Sequence, residues 1–172
     1  MTLQTSRLRL RRWRDADRPA FAAMNTDAEV MRDLGGPIGT DESDAKFDRY
    51  AAAWQMHGVG RWLIETPDGG FAGYAGILPS AADHPLGPHF EIGWRLVRSA
   101  WGHGYASEAA RAALADGFER LGLAEVLAYT APDNARSQAV MTRLGLRRDA
   151  ARDFELRGPR GSWRGLVWAA RP

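Results

Sequence analysis

Hydrophobic and polar positions follow strand-like or helix-like spacing along most of the chain. Leu8 and Leu10 alternate with two arginines, which predicts a strand that runs on to Trp13 with both leucines turned inward. Small or apolar residues recur on one face of a predicted helix over 105–121, and Gly122 is placed to end it. The chain therefore combines the two periods that an α/β fold requires.

The other segments complete an ordered series of elements. Asp41 is predicted to cap a helix that ends at His57, and residues 67–70 and 158–161 have the composition of tight turns. Further strands are predicted over 61–66, 71–78, 89–97, 125–130, 146–157 and 163–170, and further helices over 20–24, 27–34 and 134–144. This order predicts a mixed sheet with helices on both faces.

Composition narrows the class of protein. The 172 residues include no cysteine, which excludes disulfides, thiolate metal sites and a cysteine nucleophile. With only four scattered histidines, we expect no metal site. A net charge of +2 argues against a nucleic-acid partner, and no apolar run approaches the roughly 20 residues that span a membrane. We expect one domain over 1–172, located in the cytoplasm because the start lacks the apolar core of a signal peptide.

Two further expectations concern the positions of arginines and tryptophans. The arginines that alternate with Leu8 and Leu10 are expected on a solvated outer face that discourages edge pairing. Trp54 and Trp62 are expected either in the core or at the border of a binding pocket, and the sequence does not choose between these positions.

The segment 90–108 carries the chemistry, because it reads as a strand, a glycine turn and a helix start. A helix start offers unpaired N–H donors and the positive end of the helix dipole, so it can hold a phosphate without a lysine. Gly102 and Gly104 allow the backbone to approach such a group closely. Two glycines alone are weak support, and the segment lacks both the P-loop ending and the third glycine of a dinucleotide fingerprint.

A wider pattern is more specific. The run Trp101-Gly-His-Gly-Tyr-Ala-Ser-Glu-Ala109 resembles the acyl-CoA pyrophosphate loop of the GNAT N-acetyltransferase superfamily, and in particular the RimJ/RimL type of ribosomal-protein N-terminal acetyltransferase. Three other segments resemble that family in the correct order: 8–17, 71–77 and 134–146. The resemblance implies a GNAT fold, with a mixed, mostly antiparallel sheet of about seven strands.

The resemblance also implies an activity. It indicates an acyl-CoA-dependent N-acyltransferase that passes acetyl from acetyl-CoA to a primary amine by direct attack in a ternary complex. The absence of cysteine disfavours an acyl-cysteine relay. The acceptor is a protein N-terminus or a small amine, a larger acyl group such as succinyl stays open, and family tendency allows a homodimer.

Site residues follow from the same resemblance. Glu91 interrupts an apolar strand, so it is the candidate base for the amine. Asn134 is placed to cap a helix and also to contact the pantetheine arm. The pyrophosphate is expected at backbone N–H groups of the loop after Trp101, namely Gly102, His103, Gly104, Tyr105, Ala106 and Ser107. The resemblance also implies that Trp101 and Met141 border the cofactor. The main chain of Trp94, Arg95, Leu96 and Val97 is expected to pair with the pantetheine arm.

One departure from the family pattern affects the mechanism. Many relatives carry a tyrosine general acid where this chain has Met141, and a thioether cannot donate a proton. Ser137 or Tyr105 is the substitute donor that the sequence offers. The alternative function is a catalytically weak GNAT-like module that binds acyl-CoA as a sensor.

Overall fold

The computed structural model describes residues 1–158 and 161–172 of the chain, so the predicted turn over 158–161 lies partly outside the described residues. The strands are β1 (Thr2–Gln4), β2 (Arg9–Arg11), β3 (Arg61–Glu65), β4 (Phe71–Pro79), β5 (Phe90–Leu96), β6 (Val126–Thr130), β7 (Arg147–Arg148), β8 (Phe154–Gly158) and β9 (Gly161–Ala170). The helices are α1 (Arg18–Thr26), α2 (Ala28–Met31), α3 (Thr40–His57), α4 (Tyr105–Leu121) and α5 (Ala135–Arg143).

The strands form a sheet in the order β1-β2-β3-β4-β5-β6-β9-β7, and β8 pairs with the remaining length of β9. Every described pairing is antiparallel except the parallel one between β5 and β6. The prediction of a mixed, mostly antiparallel sheet is confirmed. The described residues form nine strands instead of about seven, because β1 is added and one predicted strand divides in two.

The predicted strand over 146–157 is interrupted. Its first part, β7, pairs with one end of β9, and its second part, β8, pairs with the other end. Between them the chain leaves the sheet in a 3₁₀ turn over Ala150–Arg152. The Arg152 guanidinium holds this turn, since it donates to Asp149 at 2.7 Å and to Glu125 at 2.7 and 3.0 Å. These polar pairings have no periodic signature, so the spacing of apolar residues could not reveal the break.

The alternating segment near the N-terminus forms an interior strand, β2, between β1 and β3. Leu8 and Leu10 are buried, as predicted. The expectation of a solvated face of arginines is wrong for Arg11, which is buried because it pairs with Asp17 at 2.7 and 2.8 Å and with Glu65. A strand with neighbours on both sides leaves no open edge for an arginine to protect.

Helices cover both faces of the sheet, as predicted. On one face α4 packs against β4 and β5, and Gly117 lets it approach closely, since a Cβ there would lie 2.5 Å from Ile77. On the other face α1 and α3 enclose an aromatic cluster that includes Trp13 and Phe21, with ring centroids 5.1 Å apart. Within residues 1–158 and 161–172, no helix is long and apolar enough to cross a membrane.

The helix ends match the glycine signals in the sequence. The α3 and α4 helices are followed by Gly58 and Gly122, whose φ angles of 65° and 64° suit a left-handed C-terminal cap. The predicted cap at the start of α3 is wrong, because Gly39 is the N-cap and Asp41 lies in the first turn. An acidic side chain in that turn still stabilises the helix through the helix dipole.

Candidate active site

The β5 and β6 strands separate to form a cleft. Their parallel pairing is confined to Glu91 and Leu127, and beyond this point the two strands no longer bridge. The resulting cleft has a volume of about 940 Å³ and is lined by parts of β5, β6, α4 and α5 as well as by residues of α3. This is the size of a cavity that encloses a small organic ligand.

The backbone of β5 presents free groups to this cleft. The Val97 N–H donates to the Ala72 carbonyl of β4, the strand next to β5, at 3.0 Å. In an antiparallel pair every second residue bonds to the same neighbour, so the N–H and C=O of Arg95 also point toward β4. The same alternation turns the N–H and C=O groups of Trp94 and Leu96 away from β4 and toward the cleft. The Leu96 carbonyl accepts from the indole Nε1 of Trp101 at 2.9 Å. Among the described residues, this leaves the Trp94 N–H, the Trp94 C=O and the Leu96 N–H open on this edge.

The glycine turn leads directly into α4 at one end of the cleft. Gly102 and Gly104 have φ angles of 80° and 78°, a left-handed conformation that other residues rarely adopt, and Gly104 is the N-cap of the 17-residue helix. The Ser107 hydroxyl is buried at this end and has no hydrogen-bond partner among the described residues. Free helix N–H groups and an unpartnered hydroxyl make this a place for an anion.

An ion pair that the sequence reasoning missed fixes this turn. The Glu108 carboxylate, in the first turn of α4, accepts from the Arg7 backbone N–H at 2.9 Å and from Arg7 Nε at 2.8 Å. Arg7 also donates to the His103 carbonyl at 2.9 Å. Burial opposes the ionised form of Glu108, but its hydrogen bonds from Thr5 and Arg7 prevail and lower its pKa. The N-terminal segment thus holds the start of α4 in place.

Glu91 lies where the two strands part. Its carboxylate accepts from the guanidinium of Arg61, which is buried and also donates to the Gly76 carbonyl. Arg61 crosses the sheet face above Gly93, where a Cβ would lie only 2.9 Å from Arg61 Nη2. The missing side chain at Gly93 therefore makes room for the cation that orients Glu91.

Tyr129 is a second residue that the sequence reasoning did not single out. It lies on β6 next to the Glu91 carboxylate and lines the cleft. Burial raises its pKa, and the nearby charge of Glu91 raises it further. The phenol therefore stays protonated at neutral pH. In the sequence Tyr129 is one position of an alternating strand, and that alternation does not indicate a functional role for it.

The sequence matches the acetyltransferase (GNAT) domain family over residues 7–147. The chain belongs to the GNAT acetyltransferase family.

Several relatives support this assignment over the whole fold. A relative in sequence is an FsC-acetyl coenzyme A-N(2)-transacetylase of Aspergillus fumigatus, 34% identical over 84% of this chain and 64% of its own length. The crystal structure of an acetyltransferase from Agrobacterium tumefaciens is 32% identical, covers 100% of this chain and 95% of that chain, and has a TM-score of 0.84. RimL, a ribosomal L7/L12 α-N-protein acetyltransferase solved with coenzyme A, shares the fold at a TM-score of 0.78 and 17% identity, over 99% of this chain and 98% of its own.

The structure brings together most of the site residues predicted from the GNAT resemblance. Asn134 caps α5, as predicted, since its Oδ1 accepts from the Ser137 N–H at 3.0 Å. The cleft is lined by Glu91, Trp94, Arg95, Leu96, Trp101, Gly102, Gly104, Tyr105, Ala106, Ser107, Asn134, Ser137 and Met141.

Four residues of the sequence analysis lie elsewhere. Val97 does not line the cleft, and both its backbone groups are taken up by Ala72 and Ala100, so the expected pairing with a pantetheine arm is not available to it. The His103 ring stacks on Tyr105 outside the cleft lining. Trp54 and Trp62 are buried in the core and do not border the cleft.

Proposed function

We propose that this GNAT protein transfers an acetyl group from acetyl-CoA to a primary amine by direct attack in a ternary complex. The observation that carries the proposal is the position of Glu91, which lies where β5 and β6 part and faces the side of the sheet opposite to α4. A donor held along the open edge of β5 can therefore meet an amine that enters from the other side.

The residues of the donor side fit acetyl-CoA. The N–H groups at the start of α4, with Gly102 and Gly104, suit a pyrophosphate, and the open backbone of Trp94 and Leu96 suits an amide-containing arm. When bound, the thioester supplies an activated acetyl carbon. Arg95 is less suited to the main-chain role expected of it, because its backbone faces β4 and its side chain points to the other side.

Two proton transfers accompany the reaction. The amine nitrogen forms the amide bond while the carbon–sulfur bond breaks, so the amine gives up a proton and the sulfur takes one up. We assign the first proton to the Glu91 carboxylate, directly or through water. Arg61 orients that carboxylate and keeps it in position for the incoming amine.

The proton for the sulfur needs a donor other than Met141. Ser137 and Tyr105 line the cleft and remain candidates, and Tyr129 joins them because it stays protonated beside Glu91. Among these we favour Tyr129, since it lies on β6 next to Glu91, at the point where β5 and β6 part.

The proposal covers two kinds of acceptor. A protein N-terminus is supported by the fold shared with RimL, and a small amine by the likeness to the transacetylase of Aspergillus fumigatus. An acyl donor with a longer chain, such as succinyl-CoA, is tested alongside acetyl-CoA.

The first experiment measures binding and turnover separately. Acetyl-CoA at about 100 times its dissociation constant should stabilise the protein by about 2.7 kcal/mol, which raises the unfolding temperature by about 5–10 °C. Release of free thiol across a panel of amines then measures transfer. Glu91→Gln should lower kcat about 100-fold and leave KM for acetyl-CoA unchanged, because the carboxylate serves the amine.

The control is Glu119→Gln, which removes an exposed carboxylate on α4 and should behave as the unaltered protein. Unchanged turnover in Glu91→Gln would remove Glu91 from the mechanism. Stabilisation by acetyl-CoA without turnover on any amine would favour the alternative function, a module that binds acyl-CoA as a sensor. That alternative is considered because position 141 is a methionine, which cannot donate a proton. No stabilisation by any acyl-CoA would contradict both functions.

A further inference from the structure

Three cations line the acceptor side of the cleft and have no acidic partner in the part of the chain that the structure describes. Lys46 and Arg49 extend from α3, and Arg95 extends from β5. Among the described residues, the ion pairs give none of the three a carboxylate within 4 Å. Lys46 is also the only lysine of the chain.

The acids that line the cleft have other partners. Glu91 is paired with Arg61. Glu29 and Asp33 also line the cleft, and each lies 3.5 Å from the guanidinium of Arg32. The positive charge on this side of the cleft is therefore not cancelled by the carboxylates that face it.

Neutral groups hold Arg95 in position. Its Nη1 donates to Asn25 Oδ1 at 3.1 Å and lies 3.1 Å from the sulfur of Met31, and its guanidinium lies 5.6 Å from the centre of the Tyr74 ring. Asn25 is itself fully buried and donates to Ser43 at 3.0 Å. A guanidinium fixed by uncharged partners keeps its full charge and its remaining N–H donors for a ligand.

Lys46 lies within the positive field that Arg95 helps to create. It is half-buried, and its pKa is lowered first by burial and then by the charges of Arg95, Arg49 and Arg61, although nearby Tyr74 opposes the shift. Like charges brought together at a partly buried place are costly unless an anion is bound between them. Tyr50 and Tyr74 face each other here, with their hydroxyl oxygens 3.4 Å apart.

We propose that Lys46 and Arg95, with Arg49 at the rim, form a subsite for a carboxylate carried by the amine acceptor. This inference rests on the proposed function, since it names the class of acceptor that the same cleft takes. Glu91 and Arg95 share a face of β5 and are four residues apart, which separates their Cα atoms by about 13 Å. The preferred acceptor therefore carries its acid several bonds away from the amine that is acetylated.

The first test compares acceptors that differ only in charge. A series of ω-amino acids of increasing length is assayed against the matching ω-amino amides, with acetyl-CoA as donor. For at least one length, the acid should have a KM about tenfold lower than that of its amide. Equal KM values for acid and amide at every length would overturn the inference and leave acetyl transfer itself intact.

The variants locate the effect. Lys46→Met and Arg95→Met should each remove the preference for the acid by raising its KM, with little change in KM for the amide. Lys46→Arg should keep the preference, because it keeps the charge. Arg9→Met is the control, since it removes an exposed arginine on β2, three strands from β5. A preference that survives Lys46→Met and Arg95→Met together would overturn the subsite.

A second donor distinguishes the source of the carboxylate. Succinyl-CoA is compared with acetyl-CoA on an uncharged amine, in the unaltered protein and in Lys46→Met. Under the inference, succinyl-CoA gains nothing from Lys46. The inference is wrong if Lys46→Met lowers succinyl transfer about tenfold while the acid and amide acceptors have equal KM values. The carboxylate that Lys46 binds would then belong to the acyl chain.

The single lysine gives a readout that needs no turnover. Trinitrobenzenesulfonate can label only Lys46 and the N-terminal amine, and mass spectrometry separates the two. Saturating glutarate should slow labelling of Lys46 about threefold or more, glutaramide should not, and the N-terminal amine serves as the internal reference. Equal labelling of Lys46 with both compounds would overturn the inference. Protection by glutarate without stabilisation by acetyl-CoA would keep the subsite and contradict acetyl transfer.

Discussion

The neighbours of Glu91 determine what this carboxylate can do. Arg61 lies on one side and contributes a buried positive charge, and Tyr129 lies on the other and contributes a phenol with a raised pKa. The Arg61 guanidinium donates to the Glu91 carboxylate and to the backbone carbonyls of Gly76 and Glu91. Its Nε has no hydrogen-bond partner among the described residues. A base oriented by a cation, with a donor beside it, suits a reaction in which one proton leaves the amine as another reaches the sulfur.

Tyr129→Phe tests the donor. The substitution keeps the ring against Phe154 and removes only the hydroxyl. We expect kcat to fall about 10- to 100-fold, with KM for acetyl-CoA unchanged. Tyr105→Phe and Ser137→Ala are the matched comparisons, because both side chains line the same cleft. A full kcat in Tyr129→Phe, with a loss in one of the other two variants, would transfer the donor role to that residue.

At the scale of elements, the start of α4 depends on a segment far away in the sequence. Glu108 connects the first turn of the helix to Thr5, Ser6 and Arg7, and Arg7 in turn connects to the glycine turn through the His103 carbonyl. The glycines allow the turn to approach a phosphate, but they leave it free to adopt other conformations. The contacts of Glu108 select one of them.

Glu108→Ala should therefore weaken the donor site. We expect KM for acetyl-CoA to rise about tenfold or more, because the substitution removes all contacts of this carboxylate with Thr5, Ser6 and Arg7, with kcat within about twofold of its original value. Glu119→Ala, on the exposed face of the same helix, should leave both constants unchanged. A KM for acetyl-CoA that is the same in both variants would show that the N-terminal segment does not position the turn.

Elements were predictable where one local signal dominates. The apolar face of α4 and its terminal glycine defined the helix from 105 to 121. The segment 146–157 could not be read correctly, because Arg152 breaks it through Asp149 and Glu125, of which Glu125 is remote in the sequence. Arg11 illustrates the same limit, since its burial depends on Asp17 and Glu65.

The site was predictable as far as the family motif reaches. Glu91 and the glycine turn lie in contiguous sequence, and the structure gathers them at one cleft. Four other side chains of the site come together only because the sheet and α3 are packed against each other: Arg61, Tyr129, Lys46 and Arg95. No spacing in the sequence connects their roles. Tertiary packing therefore supplies the charges that surround Glu91, and the motif alone does not.

For the whole molecule, the central feature is that β5 serves two sides. In the proposed reaction, its open edge and the start of α4 hold the donor, and Glu91, Lys46 and Arg95 lie on the side of α3. Donor and acceptor can then be bound together, with no covalent relay through the protein. The absence of cysteine agrees with this arrangement.

An initial-rate matrix tests this arrangement most directly. Acetyl-CoA and an accepted amine are varied against each other, and the release of free thiol is measured. Direct transfer in a ternary complex predicts double-reciprocal lines that intersect, and protein recovered from acetyl-CoA without amine should carry no acetyl group that an added amine can remove. Parallel lines, together with an acetyl-protein that passes its acetyl group to the amine, would contradict the account.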